Sequence, residues 1–451
     1  MLVFFNGDTC WPKLMRRRAL LSTIGATGLA GCTGTNLNLF SGPSATTSNG
    51  TTIQFSRGIS EPIRERCLRV FERTMSLTGA TPSDGIRVTQ KEQEETQYSH
   101  PIGYAQLAAT APNSNLWVPQ DTYIPGTLGS YTPEKRRLVF ADPAGLPMTL
   151  FSDIDGIPEI SLDEFPTDPF LAHEFTHVIA NDIVNQQASP TSVDATAAVR
   201  GVTEGTAEYI ARRYHTACTD GEYDPCATRH QFPAPNELPL WVVPARLPYV
   251  NGVPFVHEVI QRTGWDGLWD LHESPPQTAA EIMFPDRYFN GEQRWENLEV
   301  QPDAGGQWRQ IMSSRMGVHY LYVLFRALGI VPAMSSSTAV SASLTEETGL
   351  QHCFRAEMLR QWRGDRMTQY MNEDNRTGYY WETKWSTSEE AGTIADAVAT
   401  RHEEQGTSYQ NGWQVGTGAS EVFVMVTNSQ NTVTFGMAPS YTAMQTLLSG
   451  R

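Results

Sequence analysis

Lysine is almost absent from this chain: among 451 residues only Lys13, Lys91, Lys135 and Lys384 carry an ammonium group. Basic charge of either kind is in the minority, with 33 Lys plus Arg against 49 Asp plus Glu and a net charge of -16. Phosphate contacts need a basic surface, so this balance excludes direct nucleic-acid binding. An acidic chain poor in lysine has the pattern of proteins made for high salt, where screening makes dense carboxylates tolerable. GC-rich codon usage also favours arginine over lysine but accounts less well for the acidity. Cysteine is scarce too, limited to Cys10, Cys32, Cys67, Cys218, Cys226 and Cys353, and no C-x-x-C spacing supports a thiolate zinc site. Internal repeats are missing, and so is any second apolar run of membrane-spanning length.

What is present begins at the amino terminus. Met15-Arg16-Arg17-Arg18-Ala19-Leu20-Leu21 opens an apolar, small-residue segment ending in Leu29-Ala30-Gly31-Cys32. Twin arginines before an apolar run resemble a Tat export signal, and L-A-G-C resembles a lipobox with Cys32 as the lipidated residue. Residues 1–14 do not fit such a signal, so Met15 is the expected start and 1–31 the leader. Residues 32–54, rich in Ser, Thr, Gly and Asn, read as a flexible tether. The folded part is then expected at the outer face of the cytoplasmic membrane, anchored by lipid at Cys32. Four cysteines remain for an oxidising compartment. Cys218 and Cys226 bracket a turn-rich loop and are the favoured pair, which leaves Cys67 with Cys353.

The length suffices for one large or two medium domains. Glu61 to Leu77 has the spacing of an amphipathic helix, Ile86-Arg87-Val88 that of a short strand, and an acidic helix is expected from Lys91. Gly129 to Phe140 reads as a turn feeding a strand. The central signal is His173-Glu174-Phe175-Thr176-His177 inside an apolar, helix-compatible run. Four helical residues turn through about 400°, so the two imidazoles share a face and can share one metal ion, with Glu174 to one side as proton acceptor. Asp168-Pro169 just upstream reads as an N-cap followed by proline in the first turn.

Ala195 to Ala211 reads as the next helix and contains Glu204-Gly205-Thr206-Ala207. H-E-x-x-H followed some 26 residues later by E-G-x-A resembles the gluzincin clan of zinc peptidases. That resemblance implies Glu204 as third ligand beside His173 and His177, Zn²⁺ as the metal and Glu174 as catalytic base. Glu208 lies one turn on, on the same face, and is the rival ligand. Gly205 and Ala207 keep that helix slim for approach to the His173–His177 helix. The order of Tyr249 to Phe255, Gly264-Trp265, Pro275-Pro276, Trp362-Arg363-Gly364-Asp365-Arg366 and Lys384-Trp385 is similar to an exported metallopeptidase-like family of bacteria and halophilic archaea. The likeness covers roughly residues 125–445. It departs at Ala279-Ala280-Glu281 and Phe284, where the family carries T-E-Q and a histidine.

These readings imply an α+β fold: a mainly helical zincin-like core with a small sheet over 55–350, and a C-terminal α+β segment over 351–451 packed on it. The expected activity is zinc-dependent hydrolysis of a peptide or protein substrate. Alternatives are a surface lipoprotein keeping the metal site for structure or binding, and a metal hydrolase of non-peptide substrates. Tyr249, His257, Tyr288 and Tyr209 are candidates to hold an oxyanion, and Asp194 or Asp182 to orient a ligand imidazole. Met316 to Leu328 reads as a buried support helix, and Val422 to Phe435 as a hairpin before a final helix from Ser440.

Overall fold

The computed structural model describes residues 42–82, 85–91, 95–97, 123–125, 128–142, 149–150, 160–161, 164–184, 190–228, 240, 243–291, 295–299, 308–331, 356–416 and 421–449. The leader, Cys32 and Cys353 lie outside them. The fold is mixed α+β.

Five strands form the first sheet: β1 (Ser44–Thr46), β2 (Thr52–Phe55), β3 (Ile86–Lys91), β6 (Gly129–Thr132) and β7 (Arg137–Ala141), in the order β1-β2-β3-β7-β6. β2, β3 and β7 run parallel, with antiparallel β1 and β6 on the two edges. The expected tether therefore ends early, because Ile53 and Phe55 are buried in the core and alternate with the more exposed Thr52 and Gln54. Composition pointed to a linker, but two inward apolar side chains outweigh the polar residues around them. Where an acidic helix was expected after Lys91, β4 (Glu95–Gln97) pairs instead with β5 (Tyr123–Pro125). A further short pair joins β8 (Thr149–Leu150) to β9 (Ile160–Ser161).

Helix α1 (Glu61–Thr78) starts with Pro62 in its first turn and stops at Gly79, whose φ of 67° is left-handed. Its stripe of Cys67, Val70, Phe71, Thr74 and Met75 is buried. That stripe and the first sheet share one core with Phe170, Leu171, Phe175, Val178 and Ile179 of α2 (Asp168–Ile183). Thr167, not Asp168, caps α2, its side chain accepting from the Phe170 N–H. Asp168 is the first helical residue, buried between Arg69 at 3.4 Å and Arg66 at 3.6 Å. Next come α3 (Val193–Thr219), capped by Ser192, and α4 (Val243–Glu273), which breaks at Gly264 with φ 74°. Short helices α5 (Ala279–Met283) and α6 (Pro285–Phe289) follow.

The second sheet is antiparallel, built of β10 (Arg309–Ser314), β11 (Trp362–Met371), β12 (Thr377–Trp385), β13 (Thr407–Tyr409), β14 (Gly412–Val415), β15 (Val422–Ser429) and β16 (Thr432–Ala438). Its order is β10-β11-β12-β16-β15-β14-β13. Period-two alternation gives it two apolar faces. Trp381, Val433 and Phe435 pack with α8 (Ser388–Gln405) and α7 (Gly317–Ala327), which is buried from Gly317 to Phe325, while Tyr380, Phe423 and Met425 pack with α9 (Tyr441–Ser449). The support helix, the hairpin and the final helix read from the sequence are α7, β15–β16 and α9. The sheet's first strand lies well before residue 351, so this unit begins near 308.

Candidate metal centre

The middle turns of α2 and the middle of α3 supply the site. His173 Nε2 and His177 Nε2 stand 3.2 Å apart, as the i, i+4 spacing dictates. Glu204 Oε2, from α3, lies 3.5 Å from the first and 3.6 Å from the second. Ligands about 2.0–2.1 Å from one tetrahedral ion stand roughly 3.3–3.4 Å apart, so this near-equilateral triangle fits such an ion. Glu204 Oε2 is buried and has no hydrogen-bond partner, which suits an atom set for coordination. The three side chains therefore form a buried His-His-Glu group that can hold a metal ion. Among the described residues no fourth His, Cys, Asp or Glu joins the group. His177 is its open side, with 22 % side-chain exposure against 0 % for His173 and 6 % for Glu204.

The charges are strongly coupled. Burial pulls the His173 imidazole down, but the Glu204, Glu208 and Glu174 carboxylates outweigh it and raise it to about 9. Burial lowers His177 to about 4 against the attraction of Glu204, with repulsion from His173 added. Burial pushes the Glu174 carboxyl up to about 7; His173 opposes that shift and Glu204 adds to it.

Sequence left Glu204 and Glu208 as rivals, and the geometry separates them. Glu208 Oε2 lies 3.8 Å from His173 Nδ1, behind the ring, while its Oε1 accepts from Arg212 Nε at 3.1 Å and Nη2 at 3.0 Å. Glu208 thus faces the Nδ1 side of His173, away from the Nε2 edge that meets Glu204, and stands outside the His-His-Glu group. The two aspartates considered for orienting an imidazole lie elsewhere: Asp182 pairs with Arg136, and Asp194 with Arg315. The signal for Glu208 was present as an i, i+4 Glu-to-Arg pair on the ligand face.

Of the oxyanion candidates, Tyr249 packs on the His-His-Glu group, its ring stacked on His173 at 6.0 Å, with the Arg246 guanidinium 4.8 Å from the Tyr249 ring centre. Tyr209 faces His257 at 5.8 Å and Tyr288 meets Phe255 edge-on, in a separate aromatic cluster. Gly205 does not meet α2 as expected. A Cβ on Gly205 would lie 2.6 Å from the Gly252 carbonyl carbon, and one on Gly252 2.2 Å from the Gly201 oxygen, so the small residues admit α4 against α3. That crossing brings Tyr249, one turn before Gly252, onto the site.

Cys218 and Cys226 form the disulfide expected of them. The partner expected for buried Cys67, Cys353, lies outside the described residues. No helix among those residues is long and apolar enough to cross a membrane. A family model described as a domain of unknown function (DUF8575) matches residues 308–448, the second sheet with α7 to α9. No curated protein matches the chain.

Proposed function

We propose that this protein is a zinc-dependent peptide hydrolase of the gluzincin type, carried on the outer face of the cytoplasmic membrane by a lipid at Cys32. The observation that carries the reading is the convergence of His173 Nε2, His177 Nε2 and Glu204 Oε2 within 3.6 Å, with Glu174 buried on the same helix. Zinc bound by these three would act as a Lewis acid on a carbonyl and lower the pKa of water. Glu174 takes a proton from the attacking water and gives it to the leaving amine, roles open to a carboxyl buried on the helix that bears the two imidazoles. Glu208, its Oε2 3.8 Å from His173 Nδ1, supplies a negative charge behind that ring.

The substrate is an extended peptide lying along β6, an edge of the first sheet beside α2. The Ala141 N–H donates to the Leu128 carbonyl at 2.9 Å, so Leu128 and Ala141 are a hydrogen-bonded pair. In the antiparallel register that follows, Gly129 and Tyr131 turn their backbone N–H and C=O away from β7, on the outer side of the last strand of the sheet, where Tyr131 is partly exposed and Gly129 is buried. Main-chain pairing there gives affinity without reading side chains. The Cys218–Cys226 disulfide accords with an oxidising compartment.

The test is metal analysis of the purified protein together with casein and peptide-library cleavage, beside Glu174→Gln. One zinc per chain, cleavage by wild type and a loss of at least a hundredfold in the variant are expected. Equal cleavage by both, or none by either with zinc bound, overturns the reading.

A further inference from the structure

Gly129 opens β6 with ordinary extended backbone, so conformation does not require glycine there. Contact does. A Cβ built on it would lie 2.7 Å from both Cδ and Oε1 of Glu174 and 2.6 Å from Cζ of Phe170. The Glu174 carboxyl thus rests directly on the Cα of the edge strand. Oε1 is buried with no hydrogen-bond partner, so no donor fixes its position. What limits the carboxyl on that side is the strand backbone.

We propose that Gly129 is a positioning residue: the bare Cα of the edge strand is the stop that sets where the Glu174 carboxyl sits relative to His173, His177 and Glu204. The inference rests on Glu174 being the base. Any side chain at 129 must push the carboxyl by about 0.7 Å to reach an ordinary 3.4 Å contact. The push is directed away from β6, because Phe170, itself in the core, blocks the neighbouring space. Displacement on this scale disturbs proton transfer while leaving the three ligand atoms in place.

The experiment compares wild type, Gly129→Ala, Glu174→Asp and the double variant for zinc content, kcat and KM on a quenched-fluorescence peptide, with crystal structures of wild type and Gly129→Ala. Aspartate is one methylene shorter and leaves room for the added methyl. Expected are one zinc in every variant, a kcat loss of about ten- to a hundredfold in Gly129→Ala with KM within threefold, and a double variant no slower than Glu174→Asp alone. The glutamate carboxyl should move by at least half an ångström in the Gly129→Ala structure. Wild-type kcat in Gly129→Ala, or losses that multiply in the double variant, overturn the proposal. If wild type binds zinc and cleaves nothing, the peptidase reading falls instead, and the position of Glu174 in the two structures still decides what Gly129 does. An unmoved carboxyl overturns the proposal in that case as well.

Discussion

At the scale of single residues, the site is defined by which buried groups lack a conventional partner. His173 Nδ1, Glu174 Oε1, Glu204 Oε2 and Glu208 Oε2 are all buried without a hydrogen bond. Such groups cost free energy, and a cation at the His-His-Glu triangle would offset much of it. Glu208 reports the difference between coordinating and orienting. Glu208→Gln keeps the shape but gives up the charge that holds His173 and Arg212, and it should weaken zinc affinity about 10- to 100-fold while leaving one zinc per chain at saturation. Competition with a chromophoric chelator measures this; stoichiometric loss of metal would make Glu208 a ligand and displace Glu204. His173, Glu174 and His177 were legible because a helix fixes i, i+4 geometry locally. Glu204 was preferred to Glu208 on the motif resemblance alone, because both lie on one helix face and only distances to another helix separate them physically.

At the scale of elements, the crossing of α3 and α4 sets the place of Glu204, the third member of the His-His-Glu group. Gly201, Gly205 and Gly252 meet backbone to backbone, with no room for a methyl group on Gly252. Gly252→Ala should separate the helices, cost about 1–3 kcal/mol or more, and lower zinc affinity by moving Glu204. A thermal melt with and without chelator reads both effects; an unchanged metal-bound melt would mean that the crossing does not set the site. The glycines were visible in the sequence, but a glycine announces close approach without naming the neighbour, so α2 was expected where α4 stands. Strand β10 was hidden for a different reason. Arg309 to Met312 lies at a sheet edge with Ile311 40 % exposed, and the register shifts there, so no inward alternation marks it. The hairpin β15–β16 was legible because Val422, Val424 and Val426, then Val433 and Phe435, recur at every second position on either side of a polar turn.

At the scale of the whole molecule, the unit matched over 308–448 grips the helix that bears Glu204. Ser314 Oγ accepts from the Val193 N–H at 3.1 Å, and the Arg315 carbonyl accepts from the Asp194 N–H at 3.1 Å. Within that unit His402 is buried neutral against Trp413, and burial lowers it to about 4. An unfolded histidine binds its proton below about 6.5, so between those values the unfolded chain holds a proton the folded one does not, and stability falls with pH by roughly 1 kcal/mol per unit before levelling below 4. His402→Phe should flatten that part of the profile in melts from pH 7 to 4. The grip itself depends on one buried ion pair. Arg315 Nε donates to Asp194 Oδ2 at 2.8 Å, its Nη2 donates to the Gln277 carbonyl at 2.7 Å, and its guanidinium lies 3.9 Å over Trp295. Asp194 also accepts from the Ala279 N–H, and Asp365 receives the Met316 and Gly317 amides at 2.7 Å each, so the junction joins α3, α5, α7 and β11. Arg315→Met leaves the Asp194 charge buried without a counter-ion, which costs about 3–5 kcal/mol. Adding Asp194→Asn removes that charge and should recover part of the loss, because the penalty comes from the orphaned charge more than from the missing bond. Denaturant unfolding of the two single variants and the double variant separates these contributions. Additive losses would mean that the Arg315–Asp194 pair does not couple the two units, and that the matched unit is held to the helices of the His-His-Glu group by the Val193 and Asp194 amide hydrogen bonds and by packing.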